Sequence, residues 1–259
     1  MGDPWDRRIR RAEQLATDNG PAASLLAFYV RLLRSQKRLY ESFHQHRPSG
    51  ALARDLELIR AAAAILLGDV AEHGPPQLAV EARSLLRGDS STDEALLNYW
   101  RAPSDRQFFA KAILQPYAQW LCDEGLTPLD RAWTRVYNRC PKCGGMPQLS
   151  ILEAGGAGAG DGSGRLLLCA TCLTPWPFRR VLCPHCNEED ERKLGYFKSP
   201  ALPHQRVDAC ESCRHYLKSV DLGQLGRADP LIDEAAGASL DLWAREHGYE
   251  KIELNLLGV

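Results

Sequence analysis

The chain has 259 residues, a formal net charge of −1, 44% apolar residues and 25% charged residues. That balance is ordinary for a globular protein of one large or two smaller domains, and it excludes a general electrostatic pull toward nucleic acid or an anionic membrane. The longest clean apolar run near the N-terminus, Ala61 to Leu67, falls far short of the roughly 20 residues that a bilayer-spanning helix needs.

The opening segment contains Arg7-Arg8, but Glu13 and Asp18 interrupt what would have to be the apolar core of an export signal. Asp6 breaks the myristoylation pattern. The expectation is a cytoplasmic protein, in which thiols stay reduced and regularly spaced cysteines favour metal binding over disulfides.

Residues 1–135 read as a helical domain. Leu25, Phe28, Tyr29, Leu32, Leu39 and Phe43 recur at helical spacing, with Arg31, Arg34 and Arg38 on another face. Leu56, Ile59, Ala63 and Leu67 continue the pattern up to a break at Gly74-Pro75-Pro76. A helix is expected over Gln77 to Leu86, then a turn over Gly88 to Ser91, then a further element through Ala95 to Trp100. Ser104 or Asp105 can cap a helix that runs through Phe108, Ile113, Tyr117 and Leu121, with Pro116 expected to kink it. The aromatics of these segments, and Cys122, read as core.

Composition changes near Arg139. Residues 136–226 are rich in proline, glycine and cysteine, and short alternating runs replace helical ones. Trp176 to Leu182, Leu194 with Tyr196, and Tyr216 with Lys218 and Val220 read as strands. The glycine-rich stretch from Ala154 to Gly164 contains no phosphate-binding glycine pattern and reads as a loop tip. In the last part, 227–259, Asp229 to His247 reads as one helix, followed by a short strand over Ile252, Leu254 and Leu256.

Eight of the nine cysteines form four C-x-x-C pairs: Cys140/Cys143, Cys169/Cys172, Cys183/Cys186 and Cys210/Cys213. The pattern repeats. Cys140-Pro-Lys-Cys143 recurs as Cys183-Pro-His-Cys186 after 43 residues, and Cys169/Cys172 recurs as Cys210/Cys213 after 41. Each copy has the form knuckle, hairpin, knuckle, closed around one ion. The expected ligand sets are therefore Cys140, Cys143, Cys169 and Cys172 for site one, and Cys183, Cys186, Cys210 and Cys213 for site two. A crossed assignment needs longer reach. Tetrahedral S₄ coordination suits zinc and iron alike.

The residues between 131 and 226 include 13 Lys/Arg and 9 Asp/Glu. Two divalent ions, each with four thiolates, carry a charge that this basic excess balances. The metallated module is then about neutral, which disfavours a zinc-ribbon nucleic-acid binder. Few large apolar residues support the module, so it is expected to unfold without metal.

Other chemistries fit less well. A thioredoxin-like role needs one C-x-x-C at a helix N-terminus. Arg214 interrupts a haem-attachment motif after Cys213. His185 and His215 flank ligands and could replace a cysteine, although four thiolates per site already suffice. Sites closed by four cysteines leave no position for a substrate, so the expectation is a protein without catalytic residues, not an enzyme.

Several segments together resemble the formate dehydrogenase accessory (maturation) protein FdhE family. They are Arg139 to Pro147 (RCPKCGGMP), Cys169 to Cys172 followed by Trp176-Pro-Phe178, Arg180 to Cys186 (RVLCPHC), Asp208 to Cys213 (DACESC) and Tyr216 to Asp221 (YLKSVD). Phe108 to Tyr117, Gly248-Tyr249 and Leu254 to Gly258 extend the likeness, which is close over roughly the last 150 residues and looser before them. The glycine-rich stretch departs from the family.

The resemblance implies an α+β architecture: an N-terminal all-α helical domain, two tandem rubredoxin-like or zinc-ribbon Cys₄ modules and a C-terminal helix. It implies two metal ions, with iron favoured by the likeness and zinc equally allowed by the ligands. It implies a cytoplasmic chaperone that binds the catalytic subunit of respiratory formate dehydrogenase, without a membrane span and with self-association open. An electron carrier acting on the immature enzyme is the alternative. Arg179, Arg180, the knuckle tips and the basic helical face are the candidate contacts for the client.

Overall fold

A computed structural model of the chain describes residues 3–18, 22–88, 91–103, 107–131, 136–153 and 164–258. The N-terminal part is helical, as its periodicity predicts: α1 (Pro4–Thr17), α2 (Ala23–Phe43), α3 (Leu52–His73), α4 (Pro76–Arg87), α5 (Thr92–Arg101) and α6 (Phe108–Asp123). Local chemistry sets several starts. The Asp3 side chain accepts from the Trp5 amide at 2.9 Å, and Ser91 Oγ accepts from the Glu94 amide at 3.2 Å. Pro4 and Pro76 occupy first turns, where a missing N–H costs nothing. The cap expected at Ser104 or Asp105, the turn residues Asp89 and Ser90, and residues 154–163 of the glycine-rich stretch lie outside the described residues.

Helix α6 is the centre of the helical region, with every residue from Phe109 to Leu121 buried. Tyr117 and Trp120 pack with Phe43 of α2 and Trp100 of α5. The helix continues through Pro116, whose ring lacks the N–H that would bond the Ala112 carbonyl. Buried Gln36 supplies the missing donor: its Nε2 reaches the Ala112 oxygen at 2.8 Å.

The strands are β1 (Pro147–Leu152), β2 (Arg165–Cys169), β3 (Pro175–Pro177), β4 (Leu194–Lys198), β5 (Gln205–Cys210), β6 (His215–Asp221) and β7 (Glu250–Lys251). All belong to one sheet, in the order β3-β2-β1-β6-β5-β4, with β7 pairing β6. Each cysteine repeat thus contributes a hairpin and a third strand, and the two triplets lie side by side in one sheet. Their junction is the parallel pair β1–β6, with Ser150 opposite Ser219.

Three expectations are corrected. The strand expected from Trp176 toward Cys183 stops at Pro177, and the approach to Cys183 is irregular. The last strand is Glu250–Lys251, upstream of the expected Ile252 to Leu256. The single helix expected from Asp229 to His247 is two, α7 (Pro230–Ala236) and α8 (Ala238–Glu246), divided at Gly237. A Cβ at Gly237 would run into the Gln205 side chain, which lies against the chain there and donates to the Asp233 carbonyl at 2.8 Å.

Alternation along the strands assigns the two faces. Val207, Ala209 and Tyr216 pack with Leu240 and Ala244 of α8 on one face, and Leu149, Ile151 and Leu168 pack with Leu231 of α7 on the same face. On the other face, Leu167, Trp176 and Leu217 join the core of the helical region. Strand β6 is covered on both faces, so its Lys218 is wholly buried rather than alternating toward solvent. It belongs to an ion quartet with Lys251, Glu234 and Asp241, all at most 1% exposed at their side chains. Arg11 of α1 clasps Asp233 through Nε at 2.9 Å and Nη2 at 2.5 Å, tying the first helix to α7.

Candidate metal centres

Each C-x-x-C pair forms the same turn. The carbonyl of the first cysteine accepts from the amide of the residue after the second: Gly144 to Cys140 at 2.9 Å, Leu173 to Cys169 at 3.2 Å, Asn187 to Cys183 at 3.0 Å and Arg214 to Cys210 at 2.9 Å. That residue has positive φ in all four, at 71°, 53°, 62° and 57°. Gly144 adopts it without strain, as expected. Leu173, Asn187 and Arg214 are the non-glycine residues with positive φ among the described residues, and all three stand at the equivalent position. The repeat signal could have located them, but residue type alone could not.

The turns aim backbone amides at sulfur. Lys142 N lies 3.4 Å from Cys140 Sγ, Thr171 N 3.3 Å from Cys169 Sγ and His185 N 3.4 Å from Cys183 Sγ. Such N–H···S contacts stabilise thiolate and orient it. Gly145 is needed for space, because a Cβ there would lie 2.8 Å from Cys169 Sγ.

The structure gathers the sulfurs into two groups: Cys140, Cys143, Cys169 and Cys172 in one, and Cys183, Cys186, Cys210 and Cys213 in the other. A tetrahedral ion with bonds of about 2.3 Å separates its sulfurs by about 3.8 Å. Three pairs in the first group stand 3.4 to 3.6 Å apart and two pairs in the second 3.7 Å apart, with all sulfurs of a group within 4.8 Å of one another. Donor type, number and spacing therefore fit a tetrahedral thiophilic cation. Burial pushes the Cys169 thiol up, while hydrogen bonds from Cys143, Cys169 and Cys172 hold Cys140 far below its ordinary value. Four close thiolates repel one another, and a cation is needed to hold all four ionised.

The two groups differ in their surroundings. All four cysteines of site one are buried, and they belong to the same apolar core as Tyr117 and Trp120. Helix α6 reaches this site through Gln115, whose Nε2 donates to the Ala170 carbonyl at 3.0 Å. Site two is open on one side, with Cys186 exposed and Cys213 half-buried. Cys122, expected in the core, is only partly buried, packs against that core and lines a cleft together with Cys172 of site one.

His185 and His215 stack at 3.6 Å between centroids, 11° from parallel, beside Cys213. His215 Nδ1 meets the Cys213 carbonyl at 2.7 Å. Of the candidate client contacts, Arg179 pairs with Glu189 at 2.7 Å, and Arg180 is exposed. Arg31, Arg34 and Arg38 are exposed on α2.

Residues 181–257 match the family model described as the FdhE C-terminal domain. A protein FdhE homolog from Aquifex aeolicus is 33% identical over 198 residues, covering 74% of this chain and 68% of that protein. The chain belongs to the FdhE family. An FdhE homolog of Haemophilus influenzae (strain PittEE) is 26% identical over 270 residues, covering 97% of this chain and 87% of the homolog. The crystal structure of the FdhE protein from Pseudomonas aeruginosa has the same fold, with a TM-score of 0.74 at 24% identity over 99% of this chain and 96% of that one. FdhE membership and the two Cys₄ clusters agree with the α+β architecture expected from the sequence. No helix among the described residues is long and apolar enough to cross a membrane.

Proposed function

We propose that this FdhE-family protein is a cytoplasmic, non-catalytic accessory factor that binds the catalytic subunit of respiratory formate dehydrogenase during its assembly. The eight cysteines of the two clusters are its metal ligands. The observation that carries the reading is the pair of complete Cys₄ clusters, built by a tandem repeat, in a member of this family. An ion held by four thiolates supplies cross-linking and, if it is iron, one-electron exchange. Site one joins the sheet to α6 as a structural staple. Site two presents its sulfur edge at the surface, where a client can approach.

Deleting the gene should abolish respiratory formate oxidation while the catalytic polypeptide remains present, and normal activity in the deletion strain would refute the reading. Cross-linking from position 189, exposed beside the edge of site two and not a ligand, should trap the catalytic subunit. The exposed edge of site two also favours the alternative of an electron carrier. That role needs iron, so a colourless, fully metallated protein purified without oxygen would exclude it.

A further inference from the structure

The sheet face opposite α7 and α8 is covered by the helical core over the first repeat but not over the second. Over β4 and β5 it forms a cavity of about 500 Å³, the size of a small-molecule site. Three arginines line it: Arg165 from β2, Arg180 from the segment before Cys183, and Arg206 from β5.

Arg165 is the unusual one. It is 5% exposed, yet its Nε and Nη2 have no hydrogen-bond partner. Its Nη1 is spent on the carbonyls of Arg179, Arg180 and Leu182, at 3.2 to 3.4 Å. Its nearest carboxylate, Asp208, lies 3.6 Å away from Nη2. That carboxylate is already shared, accepting from the Ser219 hydroxyl and pairing with Arg206 at 2.8 Å. Burial depresses the Arg165 pKa, Asp208 and Cys183 oppose the shift, and Arg206 and Arg180 add to it. A buried guanidinium with free donors is costly unless an anion meets it.

We propose that this cavity binds a small organic carboxylate, its charged end on Arg165, Arg180 and Arg206 and its apolar body against Leu194, Leu217 and Ile252. Three arginines face two acidic residues of the lining, Asp208 and Glu191, and the buried ligands Cys183 and Cys210 of site two lie behind them. Beside those thiolates a single negative charge is repelled less than a dianionic phosphate, and the guanidinium fork matches a carboxylate in two-point contact. Arg165 lies in the field of Cys183, yet its Nε and Nη2 reach no sulfur within hydrogen-bonding distance.

The test is isothermal titration of the metal-loaded full chain with benzoate, with benzamide as the neutral isostere and inorganic phosphate as the competing anion, at constant ionic strength. Saturable benzoate binding is expected, with no benzamide binding and weaker phosphate binding. Arg180→Gln and Arg206→Gln, both solvent-accessible positions, should each weaken benzoate by roughly tenfold with metal content unchanged. Arg165→Gln is the stronger substitution but removes a buried group, so the two accessible variants carry the test. Absence of saturable benzoate binding, equal binding of benzamide, tighter binding of phosphate, or unaltered affinity in both accessible variants would overturn the proposal.

Discussion

Replacing Lys218 by methionine tests what holds the C-terminal helices on the sheet. Lys218 Nζ donates to the Glu234 carbonyl at 2.5 Å and the Gly237 carbonyl at 3.3 Å. It also pairs with Glu234 Oε1 at 3.1 Å and with Asp241. Methionine matches the volume of the stem but leaves two carboxylates with Lys251 as their only cation in the quartet, a net negative charge with no exposure to water. Removing one partner from such a buried network costs about 3–5 kcal/mol, a large fraction of the 5–15 kcal/mol that keeps a typical domain folded. With a urea slope of about 2–3 kcal/mol per molar, the midpoint should fall by roughly 1–2 M. The measurement is urea unfolding with saturating metal, so that metal linkage is the same in both proteins. Adding Glu234→Gln to the methionine variant restores neutrality, leaves Lys251 paired with Asp241 at 3.1 Å, and should recover about 1–3 kcal/mol. A loss under about 1 kcal/mol for the single variant, or strict additivity of the two, would refute the electrostatic reasoning.

Three further outcomes follow from individual contacts. Gly145→Ala places a Cβ 2.8 Å from Cys169 Sγ and Thr171 Oγ1, so native mass spectrometry should show site one lost and site two retained. Gln36→Leu leaves the Ala112 carbonyl without the donor that compensates for Pro116, and chemical denaturation should show a loss of about 1–3 kcal/mol. Burial works to raise the Glu234 pKa, but the charges of Lys218 and Lys251 outweigh it and hold it at about 2, below the ordinary 4.5. A depressed carboxylate stabilises the fold above pH 4.5, and the contribution, about 3 kcal/mol, fades as pH falls from 4.5 toward 2. Glu234→Gln should flatten that acid limb in stability measurements with metal content held equal.

Sequence alone determined the features that depend on spacing. Four C-x-x-C pairs at matched offsets imply a tandem unit, because a tight turn can present two thiolates only when two residues separate them. The helices were legible for the same reason, since Leu32, Leu39 and Ile59 repeat with the period of the surface they bury. Tertiary structure alone decided the features that depend on what lies opposite. Lys218 sits in an alternating strand and looks half-exposed until both faces of β6 are covered. Gly237 looks like a helix residue until Gln205 occupies the space of its Cβ. Leu173 and Arg214 take positive φ because the knuckle imposes it, against their own preference. The difference between a buried site one and an open site two has the same origin. The two repeats are near copies in their cysteines, but α6 packs against the first, and the second is left facing solvent with an arginine-lined cavity beside it.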